Sequence, residues 1–116
     1  MSIACEFSFN SADPLAVTLI FDSDGEYPLR WVFARELVTE GLTTRSGQGE
    51  VKIWPVHCEG RRSLWVQVGN LRTGHTALFE LPAQPVAQWL ARSYALVPRG
   101  REMEDADWSE LTQLIQ

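Results

Sequence analysis

Apolar and polar residues alternate along the first third of the chain, which is the pattern of strands that bury one face. The alternation covers residues 3–9, 15–21 and 27–33, with apolar side chains at every second position. Turn-forming residues separate these segments at 11–14 and 22–26. The pattern therefore predicts three consecutive antiparallel strands, of which the first two form a hairpin.

A second set of strand-like segments follows a short break in the alternation. Residues 34–40 contain good helix formers and are followed by Gly41, the residue type that most easily forms a left-handed C-terminal cap, so we predict a short helix. Residues 43–49 form a predicted flexible link. Strand-like runs then occupy 50–57, 62–68 and 76–81, so the second half repeats the plan of the first.

Helical spacing of apolar residues begins after Pro82 and stops at Pro98. A last helix is predicted from Asp107 as N-cap, with Glu110 three residues later, in the manner of a capping box. Its apolar stripe would be Trp108, Leu111 and Ile115. The sequence thus predicts one α+β domain over 1–116: three strands, a short helix, three strands and two C-terminal helices, with loosely duplicated halves.

Composition and charge narrow the functional classes. The 116 residues are 45% hydrophobic and carry a net charge of −5, which disfavours nonspecific binding to nucleic acid or anionic lipid. All of the excess negative charge lies in 102–116, which has no basic residue. Because no apolar run is long enough to span a membrane and the first residues do not resemble a signal peptide, we expect a cytoplasmic protein without a transmembrane segment.

Few residues in the chain suit catalysis or metal binding. His57 and Cys58 are neighbours in a predicted strand, so their side chains point to opposite faces and cannot act as a base and a nucleophile together. Cys5 and His75 complete the set of cysteines and histidines, and the spacing of the four matches no zinc site. We therefore expect buried thiols, no cofactor, no metal and no enzymatic activity.

Two tryptophans lie at polar positions of the predicted second sheet. Trp54 shares its strand face with Lys52, and Trp65 shares its face with Ser63 and Gln67. A helix could cover this face, or the tryptophans could simply be core residues. They could instead form a protein interface or a platform on which bases stack. Base stacking usually accompanies an electropositive groove, and clustered basic residues occur only at 61–62 and 99–101. The sequence therefore favours a protein interface over nucleic-acid binding.

Several short strings, in order, carry a resemblance to a known family. They are DPLAV at 13–17, WVFAREL at 31–37, GL at 41–42, GQGEVKIWP at 47–55, GHTALFE at 74–80 and VPRGRE at 97–102. In this order and spacing the chain resembles the SsgA-like family of actinomycete sporulation and cell-division proteins, from about Phe7 to the C-terminus. Relatives usually carry a further strand or two before the segment equivalent to Phe7, and the residues leave open which family member this is.

The resemblance implies a non-enzymatic regulator of sporulation-specific division. Such a protein would help to position or recruit the tubulin-like GTPase FtsZ at division septa, together with other SsgA-like proteins, and would assemble as a homotrimer. The family fold is similar to that of the Whirly-type single-stranded nucleic-acid-binding proteins, with two antiparallel sheets of three to four strands. A single-stranded nucleic-acid binder is therefore the alternative function, although a shared fold does not by itself transfer function.

The candidate contact surface is chosen from residue chemistry rather than from the family. Aromatic and arginine side chains dominate the energetics of protein interfaces, whereas charges at the rim mainly affect association rate. The predicted anchors are Trp54, Trp65 and Arg62, and the predicted charged rim is Glu102, Glu104 and Asp105.

Overall fold

The computed structural model describes residues 4–26, 28–70, 74–103 and 110–115. Within these residues the chain forms eight strands and two helices. The strands are β1 (Cys5–Asn10), β2 (Ala16–Phe21), β3 (Leu29–Ala34), β4 (Ser46–Gln48), β5 (Val51–Cys58), β6 (Arg61–Asn70), β7 (His75–Pro82) and β8 (Glu110–Ile115). The helices are α1 (Arg35–Gly41) and α2 (Ala83–Leu96).

The first sheet has the strand order β3-β2-β1-β8, and all of its neighbouring strands are antiparallel. The predicted alternation is confirmed, because alternate residues of β1 and β2 are buried. Phe7 lies opposite Leu19 in this register, and both side chains are buried in the core. The sheet therefore presents one apolar face inward, as expected of an antiparallel sheet that packs on one side only.

The prediction of a last helix is wrong, because residues 110–115 form β8 beside β1. Leu111 and Ile115 are buried, and Leu114 is 53% exposed. In β8 these residues alternate between the two faces of the sheet, and pairing with β1 satisfies backbone groups that an unpaired edge would expose. The proposed N-cap Asp107 and the stripe residue Trp108 lie outside the described residues.

The second sheet has the order β4-β5-β6-β7 and is also antiparallel. Its first strand, β4, lies within the segment 43–49 that the sequence predicts as a flexible link, so that prediction is wrong in part. Ser46 in β4 is buried, and its hydroxyl donates to the carbonyl oxygens of Leu37 and Ile53 at 3.0 and 3.3 Å. These contacts fix the short strand beside β5.

The β5–β6 hairpin turns through Glu59 and Gly60, both of which have positive φ, 53° and 77°. Positive φ at both central residues is typical of a type I′ turn, which matches the twist of the two strands. Because the loop has two residues, the register places Cys58 opposite Arg61 and His57 opposite Arg62. The turn therefore brings two arginines to the end of the second sheet.

Each sheet is a three-strand meander with a further strand beside its first member, and each meander leads into a helix. This α+β architecture agrees with the predicted fold class, except that the C-terminal element is a strand. The duplication and the likeness to the Whirly fold stay predictions.

The core lies between the inward faces of the two sheets and the two helices. Phe7 of β1 packs on Trp89 of α2 with 5.0 Å between ring centroids. Phe21 stacks on Phe79 at 3.8 Å, which joins the first sheet to the second. Aromatic contacts of this kind add to the free energy gained from burying the rings.

Gly41 contributes to this core by its small size rather than as a left-handed cap. The C-cap of α1 is Leu42, which has ordinary right-handed geometry with φ −70°, so the predicted cap is wrong. A Cβ at Gly41 would overlap Ile53 of β5 and lie 2.7 Å from its Cβ. The glycine therefore lets α1 pack directly on β5.

Candidate functional site

The outward face of the second sheet carries two tryptophans side by side. Trp54 of β5 lies directly opposite Trp65 of β6, and both are half-buried. Lys52 faces Gln67 in the same register, and Glu80 of β7 faces Trp65. We call this surface the tryptophan face, and it comprises Lys52, Trp54, Val56, Ser63, Trp65, Gln67, Leu78 and Glu80.

Both helices pack on the opposite, inward face of this sheet. Gly41 of α1 lies against Ile53, whose side chain alternates with that of Trp54. Val86 and Trp89 of α2 are fully buried in the core cluster that also includes Ile53. The interpretation in which a helix covers the tryptophans is therefore wrong. The sequence-based placement of each tryptophan on the polar side of its strand is correct, and neither is a fully buried core residue.

Arginine and aliphatic side chains extend the tryptophan face. The guanidinium carbon of Arg45 lies 4.7 Å from the centroid of the Trp54 ring, a cation–π contact. Leu78 of β7 is 51% exposed on the same face as Trp65 and Gln67. Neither residue is among the contact residues predicted from the sequence. The alternation of 76–81 already places Leu78 on the outer face, whereas no local pattern links Arg45 to Trp54.

Arg62 is not part of the tryptophan face. It alternates with Trp65 along β6, so its side chain leaves the sheet on the inward side, beyond the end of the core. The structure therefore brings Trp54 and Trp65 together but separates Arg62 from them.

Arg62 lies instead in a groove of about 970 Å³ at the end of the second sheet. The groove is formed where the β5–β6 hairpin, the end of β7 and the start of α2 meet, with Leu42 after α1 on one side. Its residues are Leu42, Gly60, Arg61, Arg62, Ser63, Glu80, Pro82, Ala83, Gln84, Pro85 and Ala87. We call it the hairpin groove. Ser63 and Glu80 belong to both surfaces, so the groove is continuous with the tryptophan face.

Of the three residues of the predicted acidic rim, Glu102 lies within the described part of the chain. The carboxylate of Glu102 accepts the backbone N–H of Gly100 at 2.8 and 2.9 Å, within its own turn. Its negative charge also acts on the guanidinium of Arg35. Glu104 and Asp105 lie outside the described residues.

Arg35 is a buried charge that the sequence analysis did not identify. Its side chain is 2% exposed, and its guanidinium donates to the carbonyl oxygen of Ser93 at 3.0 Å. It lies over the rings of Phe9 and Tyr94. Burial lowers the pKa of Arg35, and Tyr94, Glu102 and Glu36 oppose that shift. The position joins α1 to α2 and serves packing rather than ligand binding.

The cysteines and histidines do not converge on a site within the described residues. Cys5 is buried, and burial together with the negative charge of Asp22 raises the pKa of its thiol to about 11. Cys58 is exposed at the end of β5, so the prediction of buried thiols is wrong for this residue. In the described ranges, no group of three or more histidine, cysteine, aspartate or glutamate side chains is arranged to hold a metal ion.

Among the described residues, neither helix has the length and apolar character needed to cross a bilayer.

Comparison with known proteins places this chain and its fold in a family. A family model described as the Streptomyces sporulation and cell division protein SsgA matches residues 3–102. The sporulation-specific cell division protein SsgB of Frankia casuarinae is 34% identical over 97% of this chain and 78% of its own length. SsgB of Streptomyces coelicolor is 35% identical over 92% of this chain and 77% of its own length.

Solved structures agree with these sequence relationships. One, described with mutations in SsgB that correlate to longitudinal cell division during sporulation of Streptomyces coelicolor, has a TM-score of 0.73 and 30% identity. It covers 86% of this chain and 91% of the compared chain. An SsgA-like sporulation-specific cell division protein from Thermobifida fusca has a TM-score of 0.73 and 29% identity, over 88% and 86% of the two chains.

A match over residues 3–102, relatives above 30% identity and a shared fold together show that this chain belongs to the SsgA family of sporulation and cell-division proteins.

Proposed function

We propose that this chain acts in sporulation-specific cell division as a non-enzymatic interaction module, and that the tryptophan face is its main contact surface. The observation that carries the proposal is the cross-strand pair of Trp54 and Trp65 on the side of the sheet opposite the helices. Tryptophan is the residue type most often found among the energetically dominant residues of interfaces. The relatives named as sporulation-specific division proteins supply the cellular role.

The chemistry of the face supports a protein partner. The two indole rings and Leu78 provide apolar area, and Lys52, Arg45, Gln67 and Glu80 surround them with polar groups of both signs. An apolar centre with a polar rim is the usual organisation of a protein interface. A partner with a matching apolar patch would bury the exposed parts of both tryptophans.

The partners proposed for this face come from the family resemblance. They are a second and third copy of this chain, giving a homotrimer, other SsgA-like proteins, and FtsZ, which the protein would help to position or recruit at division septa. The tryptophan face offers each of these partners apolar area to bury.

The direct test uses Trp65→Ala and a matched variant, Val32→Ala. Val32 is 56% exposed on the outer face of the first sheet, so its truncation removes exposed apolar atoms without touching the tryptophan face. Light scattering over a concentration series gives the solution mass, and co-sedimentation with polymerised FtsZ gives partner binding. Loss of a tryptophan anchor is expected to cost about 2 kcal/mol, or roughly thirtyfold in affinity.

The expected result is a mass near three chains for the unaltered protein and for Val32→Ala, and loss of assembly or FtsZ binding for Trp65→Ala. Far-ultraviolet circular dichroism checks that each variant is folded. If folded Trp65→Ala assembles and binds FtsZ as the unaltered protein does, the assignment of this face is wrong. A single-stranded oligonucleotide provides the alternative arm: tight binding that weakens steeply with salt would favour the nucleic-acid function.

A cellular test places the same variants in a sporulating actinomycete that lacks its own copy of this gene. Restoration of sporulation septa by Val32→Ala but not by Trp65→Ala is the expected outcome, with equal protein levels verified by immunoblot. If both variants restore sporulation septa, the tryptophan face is not needed for cell division.

A further inference from the structure

The hairpin groove contains positive charge that the described residues leave without a partner. Arg61 and Arg62 are exposed on its rim, and within the described part of the chain neither guanidinium has an ion pair or a hydrogen bond. Arg99, in contrast, is paired with Glu36. Glu80 is the acidic residue in the groove, so arginines outnumber carboxylates there by two to one.

The start of α2 adds to this positive character. Ala83 and Gln84 are in the first turn of the helix and in the wall of the groove. The first turn has no acidic residue, and the N-cap residue Pro82 makes no side-chain capping hydrogen bond. Pro82 and Pro85 have no N–H group, so the donors of this turn that lack an acceptor within the helix are the N–H groups of Ala83 and Gln84, at the positive end of the helix dipole. These N–H groups therefore add to the attraction that the two arginines exert on a carboxylate.

Apolar atoms form the rest of the groove wall. Leu42, Pro82, Ala83, Pro85 and Ala87 offer short aliphatic surfaces between the charged groups. The groove volume of about 970 Å³ lies at the upper end of the range for ligand sites and suits several residues of an extended peptide. The surface therefore combines aliphatic contacts with two arginine guanidinium groups, one from each side of β6, and guanidinium groups bind carboxylates well.

We infer that the hairpin groove binds an acidic, aliphatic peptide segment of a protein partner. Carboxylates of the segment lie against Arg61, Arg62 and the start of α2, and its aliphatic side chains lie on the proline and alanine wall. The inference rests on the proposed function, because the groove shares Ser63 and Glu80 with the tryptophan face and extends the same contact surface. One partner would then contact both surfaces.

Charge distribution favours a peptide over a nucleic acid in this groove. A nucleic acid presents a phosphate at every nucleotide, so its negative charges cannot be confined to the positions of the two arginines. The carboxylate of Glu80 within the groove would repel such phosphates. An acidic peptide can instead place its carboxylates at the arginines and neutral side chains beside Glu80.

The test measures fluorescence anisotropy of a short fluorescein-labelled peptide of alternating glutamate and leucine. A peptide of alternating lysine and leucine is the charge-reversed control. The variants are the double substitution Arg61→Gln with Arg62→Gln, the single substitution Glu80→Gln, and Arg30→Gln. Arg30 is an exposed arginine on β3 in the first sheet, so its substitution removes one positive charge away from the groove.

The acidic peptide is expected to bind the unaltered protein and Arg30→Gln equally, and at least about tenfold more tightly than the basic peptide. The double arginine variant is expected to lose about tenfold in affinity, and Glu80→Gln to gain about threefold. Equal affinity for the two peptides, or no loss in the folded double variant, would overturn the inference. Tighter binding of a single-stranded oligonucleotide that displaces the peptide from the groove would also overturn it.

Failure of the groove and failure of the proposed function give different results. If Trp65→Ala assembles and binds FtsZ normally while the arginine variant loses the acidic peptide, the groove assignment stands and the role of the tryptophan face is wrong. If Trp65→Ala abolishes assembly while the double arginine variant binds the acidic peptide as tightly as the unaltered protein, the proposed function stands and the groove assignment is wrong.

Discussion

The guanidinium carbon of Arg35 lies 4.0 Å from the centroid of the Tyr94 ring, and this contact joins the two helices inside the protein. Phe9 of β1 lies on the guanidinium as well, at 4.9 Å. Since the side chain is 2% exposed, the charge depends on these rings and on the carbonyl oxygen of Ser93 for its stabilisation. Arg35 therefore ties α1, α2 and the first sheet together.

Arg35→Lys is expected to lower the free energy of unfolding by about 2 kcal/mol, although the charge is retained. An ammonium group is more strongly hydrated than a guanidinium and has no planar surface to stack on Tyr94. Chemical denaturation followed by tryptophan fluorescence measures the loss. The control Arg30→Lys, at an exposed position, is expected to stay within about 0.5 kcal/mol of the unaltered protein. Equal stability of the two variants would refute the packing role of Arg35.

Gly41→Ala tests the close approach of α1 to β5. Helix propensity alone predicts that this substitution stabilises the protein by up to about 1 kcal/mol. The added methyl group would overlap Ile53, so we expect destabilisation by about 1 to 3 kcal/mol instead. Thermal unfolding gives the sign of the change. The double variant Gly41→Ala with Ile53→Ala lacks the Cγ2 atom that the new methyl group would overlap, so it is expected to be less destabilised than the sum of the single variants. Strict additivity would contradict the overlap with that atom.

Raising the pH above 9 is expected to destabilise the folded protein through the buried thiol of Cys5. Its pKa is raised from 9.0 to about 11, because burial and the charge of Asp22 disfavour the thiolate. Between these values the unfolded chain releases the thiol proton and the folded chain retains it. The contribution of the Cys5 thiol to the free energy of unfolding is therefore fully present below pH 9 and is lost as the pH rises toward 11. Denaturation midpoints across this window measure the slope.

Cys5→Val is the comparison for that slope, since valine keeps an apolar side chain at the site without a titrating group. The variant is expected to lose less stability than the unaltered protein between pH 9 and 11. Cys58→Ser, at an exposed position, is expected to retain the original slope. Parallel pH profiles for the unaltered protein and Cys5→Val would show that the thiol does not titrate in this way.

Glu59→Asn is expected to stabilise the β5–β6 hairpin. Glu59 has a φ of 53°, and asparagine followed by glycine is the preferred pair for a type I′ turn. We expect a gain of about 0.5 to 1 kcal/mol in the free energy of unfolding, measured by urea denaturation. Glu50→Asn, an exposed glutamate before β5, serves as the comparison and is expected to give no gain. A loss of stability in Glu59→Asn would argue against the turn type.

Local sequence patterns predict most strands because burial on one face imposes a period of two. The same reasoning fails at 110–115, since Leu111 and Ile115 are four residues apart, a spacing that fits both one side of a helix and one face of a strand. The free edge of β1 decides the outcome, and that edge is more than 100 residues away in sequence. Single-sequence periodicity contains no information about such a partner.

The candidate surface is likewise predictable only where local alternation along a strand decides the position of a side chain. The pairing of Trp54 with Trp65 is predictable in face, because both alternate with buried aliphatic residues. Arg62 was grouped with them by chemistry, but its position three residues before Trp65 places it on the other side of β6. The burial of Arg35 is not predictable from local sequence, because arginine is rarely buried and its aromatic partners come from β1 and α2.

Because β8 pairs with β1, the first sheet can be completed only after residues 110–115 have been synthesised. Ser8 and Thr112 share a hydrogen bond of 3.1 Å across this pair, although they are 104 residues apart. On the ribosome, β1, β2 and β3 emerge early, whereas the strand that covers the edge of β1 emerges after all the others. During translation the nascent chain therefore exposes that edge until residue 115 has left the exit tunnel, and this interval is when a chaperone or a second nascent chain has access to it.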